Sequence, residues 1–396
     1  MIGFFFSFAL CHPPIILVPG MADSQLSLGY DIEHPKYWFC PKHADPKTTF
    51  VDIPTFLPPN MFCIYDLARL LYNETTDRVE SQPGTNFEPV DFGGQKGIQN
   101  VVSLPFGFTM LPVYKKIIKK LEKVGYVIGR DLFGMPYDWR LGICLHDEFW
   151  DKMVNLIEKA VDENESGKSG VTIIAHSFGS VLINEILTKR TTQEWRKKYI
   201  KRIIFVAPAF GGFGWSVRSL WMNELYPFLK IKPFMPTFAG FMSLLPNFEI
   251  FGNETIIITP EGENLTAKDV PDFLEKHGKV DPKILQKATK NIKNTPIEPD
   301  VEKFIVYNSA IQSNSGMKMK NYESRPSFLT LEGDGSLPKI GIEWACNHWT
   351  NISCYDLKHP KISHEKLLLD DNSISLIFQL ALDLKHTSSD SNIKEL

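Results

Sequence analysis

The chain has 396 residues, with 43 Lys and Arg against 46 Asp and Glu and a formal charge of -3 at pH 7. That near balance, with neither a basic stripe nor a nucleic-acid motif, excludes a nucleic-acid partner. No run reaches the 18 or so apolar residues that a membrane span needs, so any membrane contact is expected to be peripheral.

Taken in chain order, residues 1–11, MIGFFFSFALC, are apolar and contain the small-x-small triplet Ser7-Phe8-Ala9. They read as a signal peptide, with a buried first strand as the alternative. PPIILVPG (13–20) is a β-branched run closed by Pro and Gly, a buried strand ending in a loop. Residues 31–72 are dense in Pro and aromatics, among them Tyr37, Trp38, Phe39, Phe50, Phe56 and Phe62, and read as an excursion from the sheet. Cys40 and Cys63 flank a loop there in the manner of a disulfide, and Cys346 with Cys354 is a second possible pair; six reduced thiols are the alternative. Residues 114–124 have helical spacing, GYVIGRDLFGMPYDWR runs from strand to loop, and a helix follows from Asp147. Strand VTIIA, helix SVLINEILTKR and strand RIIFVAP continue the rhythm. Strands alternating with helices imply a mostly parallel sheet covered on both faces, an α/β fold.

Residues 211–325 break the alternation, opening with a stretch rich in Trp, Phe, Met and Leu, and the core is expected to resume near SFLTLEGDG (327–335). A terminal helix with an acidic start and a frayed tail over 387–396 close the chain. Five N-x-[ST] sequons, at Asn73, Asn164, Asn253, Asn264 and Asn351, together with the paired cysteines, favour export.

The chemistry centres on AHSFG (175–179), between an apolar strand and a helix, the setting of a nucleophile elbow. There a sharp turn projects Ser177; Gly179 supplies the small residue the turn requires, and Ala175 replaces a more usual glycine. A helix-capping serine is the bland alternative. A hydroxyl becomes a nucleophile only when a base takes its proton, so an acid and a histidine are sought downstream. Asp334, between two glycines in LEGDGSLP, is the candidate acid, with Glu332 its rival. His364 in KISHEKLLL, just before the last helix, is the candidate base, with His359 its rival. His176 adjoins the serine on a backbone that aims it elsewhere. Backbone N–H groups of Met21 and Phe178 are the expected oxyanion donors. Asp138 and Arg140 read as an ion pair holding the cap to the sheet, with substrate positioning as the alternative. No metal cluster or cofactor motif is present, and serine acyl transfer requires neither.

PPIILVPGMADSQL, MPYDWR, AHSFGS, VAPAFGG, GDGS and SHEKLL occur in the order of, and together resemble, the lecithin:cholesterol acyltransferase family, including its lysosomal phospholipase A2 branch. NETIIITPEGENLTAKDVPDFLEKHG resembles that family's cap. The resemblance implies an α/β-hydrolase domain over 12–390, with a membrane-binding insertion at 31–72 and a cap or lid insertion at 211–325. It also implies an enzyme that opens a glycerophospholipid ester, holds the acyl group on Ser177 and passes it to water or a lipid alcohol. In the family a disulfide closes the membrane-binding excursion, matched here by Cys40 and Cys63, and a lid matches the aromatic stretch after Gly212. Met21 and Ala22 depart from the residues expected after the glycine. The other readings are a neutral-lipid lipase or phospholipid:diacylglycerol acyltransferase, and an inactive hydrolase fold that binds lipid. The expected setting is the surface of a membrane or lipid particle, in a lysosome-like compartment or outside the cell.

Overall fold

The computed structural model describes residues 12–50, 57–103, 109–164, 166, 169–226, 229–230 and 234–383. The signal-peptide reading of residues 1–11 and the tail over 387–396 lie outside the described residues, as do Cys11 and Phe56.

Six strands form one parallel sheet: β1 (Ile15–Val18), β2 (Leu132–Gly134), β3 (Val171–His176), β4 (Ile200–Val206), β5 (Glu302–Tyr307) and β6 (Ile352–Asp356), in the order β6-β5-β4-β3-β1-β2. Every residue of β1 and β3 is buried, as a parallel sheet covered on both faces requires. Successive side chains feed opposite layers: Ile16, Val18, Ile173, Ala175 and Phe205 enter one core, while Ile15, Leu17, Ile174, Ile204 and Val206 enter the other.

Helix α1 (Lys115–Lys123) covers the second layer with Ile117, Ile118 and Leu121; its lysines lie on the remaining faces. The last helix there, Asp371–Ala381, is started by Asp370, whose carboxylate accepts the N–H groups of Asn372 and Ser373. Asp147–Asp162 covers the first layer with Trp150, Met153 and Ile157, together with the helix Phe178–Glu185 that follows β3.

Two readings of the insertions require correction. The first insertion is wider than 31–72: its three-stranded antiparallel sheet pairs Leu26–Asp31 with both His43–Phe50 and Thr85–Pro89. The second is not one block over 211–325, because Glu302–Tyr307 within it is the central strand β5. Glu302 and Lys303 at its start obscure an apolar run that is buried only further along, at Ile305, Val306 and Tyr307. Nor does Ser327–Gly333 return to the core sheet. It pairs with Ile311–Lys318 as a hairpin in a four-stranded sheet of the cap.

Cys40 is bonded to Cys63 and Cys346 to Cys354, while Cys144 is a free thiol whose burial pushes its pKa up to about 12. Two disulfides fit an oxidising compartment. Among the described residues no helix is long and apolar enough to cross a membrane. Of the sequon asparagines, Asn253, Asn264 and Asn351 are exposed, whereas Asn164 is buried and donates to the His12 carbonyl at 3.1 Å.

The aromatics of the two insertions differ in burial. In the cap, Phe234, Phe238 and Phe241 are buried and stack in sequence, with centroids 4.8 and 4.7 Å apart. Around the Cys40–Cys63 bridge, Trp38 is 94% exposed, and Phe39, Leu57 and Phe62 are exposed as well.

One buried ion pair joins sheet and excursion, and its backbone meets the cap. Arg140, wholly buried, donates from Nε and Nη2 to the two oxygens of Asp138 at 3.0 and 2.6 Å. Nη1 reaches the Ala68 carbonyl at 3.2 Å, Nη2 reaches Ser81 Oγ at 2.9 Å, and the guanidinium lies 3.5 Å from the Phe87 ring centre. From the cap, Gly240 N–H donates to the Arg140 carbonyl at 2.8 Å. The pair's side chains therefore fasten the excursion to the sheet, whereas the cap is tied to this segment through the Arg140 backbone and not, as the sequence reading has it, through the ion pair. Arg140→Ala leaves Asp138 buried without its counter-charge and is expected to cost about 3–5 kcal/mol in denaturant unfolding. The Asp138→Ala/Arg140→Ala double variant should lose clearly less than the sum of the single losses.

Candidate functional site

Ser177 links β3 to the following helix with φ 53° and ψ -122°, a region that a non-glycine residue occupies only under constraint. Its N–H donates to the Val206 carbonyl at 2.9 Å and its carbonyl accepts from Ala209 at 3.2 Å, so strand β4 and its outgoing loop hold the turn. Gly179 is required by packing: a Cβ there would be driven into the Val18 and Pro19 carbonyls, which lets the helix start directly against the end of β1. Ala175 is fully buried without conflict, and its carbonyl accepts from Ser180 Oγ at 2.9 Å.

The loop after β1 meets the same point. A Cβ on Gly20 would lie 3.0 Å from Ser177 Cβ and 3.1 Å from His176 Nδ1. Tyr137, from the MPYDWR segment, donates its hydroxyl to the Gly20 carbonyl at 2.8 Å. In a planar trans peptide this directs the Met21 N–H away from Tyr137. No hydrogen bond occupies the Met21 N–H among the described residues. Phe178 opens a helix, so its N–H has no intrahelical partner. Both expected oxyanion donors thus belong to segments flanking Ser177.

Asp334 and His364 come together across the sheet end. His364 Nδ1 lies 2.6 Å from Asp334 Oδ2, with the carboxylate fully buried, and His364 N–H also donates to the Asp334 carbonyl at 2.8 Å. The other carboxylate oxygen accepts the N–H groups of Ser336 and Leu337 at 3.0 and 2.7 Å. With Nδ1 engaged, Nε2 is the nitrogen left for proton transfer. The rivals stand apart. Glu332 is exposed and 3.8 Å from Lys339, and His359 is exposed with its Nδ1 accepting from Lys361 N–H. His176 is buried with its ring centre 4.7 Å from that of His364, which brings the His364 ring beside the residue preceding the nucleophile.

Sequence reasoning missed two residues that position this pair. Asn308, fully buried just past β5, donates to the His359 and Ile362 carbonyls at 3.0 and 2.9 Å and accepts His359 N–H, pinning the loop that carries His364. Ser313 Oγ accepts Gly335 N–H at 2.8 Å, and Ile311 bridges Asp334, so the hairpin's base fixes the acid. A lone Asn or Ser carries no sequence signal of such a role.

Burial resists a charge on His364, but the Asp334 carboxylate, with Glu365 and Asp23 behind it, more than offsets this and raises its pKa to about 9. The surroundings therefore favour the imidazolium that a proton acceptor becomes. Among the described residues no group of His, Cys, Asp and Glu is arranged to hold a metal ion. Two surface hollows, of about 620 and 640 Å³, are lined by residues outside this site, around Lys303 and Trp344.

A family model described as lecithin:cholesterol acyltransferase matches residues 47–297, more than half of the chain and ending before Asp334 and His364. A rat lysosomal phospholipase A and acyltransferase is 23% identical over 94% of this chain and 91% of its own length. Chicken phosphatidylcholine-sterol acyltransferase is 24% identical over 86% of this chain and 82% of its own. The Arabidopsis thaliana lecithin-cholesterol acyltransferase-like 1 is 28% identical over 66% and 64%. Among solved structures, the crystal structure of the Tle4-Tli4 complex overlays with a TM-score of 0.44 at 10% identity, over 91% of this chain and 96% of that one.

The His364–Asp334 pair links stability to pH with a definite sign. Folding raises the value of His364 from 6.5 to about 9, so the pair's contribution is fully present below about pH 6.5 and is lost as pH rises through about 9. In thermal unfolding, the gap between wild type and His364→Gln should narrow across that window. A gap that stays constant would show that the pair does not titrate with the fold.

Proposed function

Because the chain belongs to the lecithin:cholesterol acyltransferase family, we propose that it is a serine phospholipase and O-acyltransferase acting through an acyl-Ser177 intermediate. The observation that carries this reading is the buried Asp334–His364 pair at 2.6 Å, beside the strained turn of Ser177. Ser177 Oγ attacks the ester carbonyl of a glycerophospholipid while His364 Nε2 takes its proton. Asp334 fixes the tautomer and offsets the charge. The oxyanion receives the N–H groups of Met21 and Phe178, main-chain donors that need no reorganisation during reaction. Collapse breaks the ester bond, and His364 returns the proton to the departing lysophospholipid oxygen. Water or a lipid alcohol then attacks acyl-Ser177 with His364 again taking the proton, which goes back to Ser177 Oγ as the product acid or ester leaves.

The substrate lies in a lipid surface, and the disulfide-closed excursion suits docking there. Trp38 and Phe39 pack edge to face with centroids 5.9 Å apart, and Phe62 meets Tyr37 at 6.3 Å, a small exposed aromatic platform above a soluble body. The two disulfides and the lysosomal relatives support a place in the secretory pathway, in a lysosome-like compartment or outside the cell. The domain reading is a hydrolase core interrupted by the docking excursion and by a cap on either side of β5.

Phospholipid liposomes containing a long-chain alcohol, with products resolved by mass spectrometry, test the reaction. Wild type should yield lysophospholipid and acylated alcohol, and Ser177→Ala should lose at least about a thousandfold in rate. Intact phospholipid with hydrolysed triacylglycerol would redirect the reading to a neutral-lipid lipase. For the docking platform, Trp38→Ser should weaken sedimentation with liposomes and lower liposome turnover far more than turnover of a water-soluble ester. Equal losses on both substrates would assign Trp38 a structural role instead.

A further inference from the structure

Asp23 is a carboxylate beside the nucleophile that the acyl-transfer steps leave unused. Its Oδ2 accepts the Gly20 N–H at 3.1 Å and lies 3.4 Å from His176 Nδ1. The second contact has the length of an ion pair without the alignment of a hydrogen bond, since Nδ1 has no hydrogen-bond partner. On the opposite edge of the ring, Nε2 lies 3.3 Å from the His364 carbonyl oxygen. A carbonyl oxygen only accepts, so Nε2 carries a proton. A carboxylate also only accepts, and an unprotonated Nδ1 would set its lone pair against a negative charge in a ring only 3% exposed. Both edges are matched only when both nitrogens are protonated.

Resting on the catalytic reading above, we propose that His176 is held as an imidazolium paired with Asp23, and that the two act as a positioning pair for acyl transfer. The pair joins three separate pieces of chain: the Gly20–Met21 turn through Asp23, the end of β3 through His176, and the base-carrying loop through the His364 carbonyl. Neither residue touches the reacting atoms. What they fix is the position of the Met21 N–H and of the His364 ring relative to Ser177.

The pair also has an electrostatic role. A base whose surroundings favour its cation would rest with its proton already on, and so could not take one from Ser177. A charged His176 ring 4.7 Å away opposes a second imidazolium and so works against the rise that Asp334 imposes on His364. Asp23 acts in the other direction, as one of the groups that raise His364. The remaining titratable groups facing His176 are Tyr114, whose hydroxyl donates to the Val18 and Ile174 carbonyls, and Tyr137 on the Gly20 carbonyl. Burial, reinforced by the Asp23 charge, keeps both phenols protonated. Asp334 faces the cluster from behind His364.

The test measures how fast a fluorophosphonate labels Ser177 as a function of pH in wild type, Asp23→Asn and Asp23→Glu, alongside nitrogen-15 NMR of the wild-type histidines. Asp23→Asn retains an acceptor for the Gly20 N–H but removes the charge. It should label about tenfold more slowly at its optimum, as the turn carrying the Met21 N–H loses its charged anchor. Because the charges of Asp23 and His176 act on His364 in opposite directions and are lost together, its rising limb should stay near that of wild type. Asp23→Glu should keep the wild-type limb, and His176 should show two ring N–H protons still at about pH 8, where an unpaired histidine has lost one. A limb that moves about one unit lower in Asp23→Asn is what a lone carboxylate beside a neutral His176 would give, and would overturn the proposal. A single ring proton on His176 would overturn it from the wild-type protein alone, whether or not a variant folds. Failure of Ser177 to label at any pH would instead refute the acyl-enzyme reading, and the histidine spectrum would still decide the charge on His176.

Discussion

The bidentate contact between Arg140 and Asp138 is the constraint on which the other parts depend. A guanidinium out of water is tolerable only where its donors are matched, and here they are shared among a carboxylate, a backbone carbonyl and a hydroxyl from separate parts of the chain. The same short segment supplies Tyr137 to the Gly20 carbonyl and Trp139 to the Ser24 carbonyl at 2.9 Å, and Trp139 packs 5.4 Å from Phe238 of the cap. The turn beside Ser177, the disulfide-closed excursion and the cap thus take their positions from one stretch after β2. Movement of any one of them would disturb groups that have no access to water.

Local chemistry was legible in the sequence, and long-range geometry was not. An elbow needs its strand, its serine and its small residue side by side, so AHSFG reveals itself, and Gly179 shows why: the helix starts where a side chain would strike the carbonyls of β1. The Asp334–His364 contact spans 30 residues, yet chain order and a loop before the last helix suffice to suggest it. β5 was hidden because two charged residues precede its apolar run inside a stretch that otherwise reads as cap. The role of Asn308 depends on contacts more than 50 residues away and leaves no local pattern.

Composition left the role of the aromatics open. Both insertions are rich in them, but those of the cap bury one another while those beside Cys40 and Cys63 face solvent. Burial is decided by what the segment packs against, which a list of residue types does not contain. Likewise His176 reads as a mere neighbour of the serine until the acceptors on either edge of its ring are seen.

The acid reaches the site by an indirect route. The chain leaves β5, runs out through the hairpin of Ile311–Lys318 and Ser327–Gly333 into the sheet of the cap, and only on its return presents Asp334. The next strand of that sheet, Ile257–Ile258, pairs with Ile311–Lys318 and continues the cap. The cap is therefore an arm whose root holds the Asp334 carboxylate of the candidate site. Divergence in the helices from Gly214 to Ala288 can reshape the space for lipid without displacing the acid, whereas a change in hairpin register would move the carboxylate itself. Chimeras that exchange caps between relatives would need their junctions inside the helices, with this hairpin retained by the host.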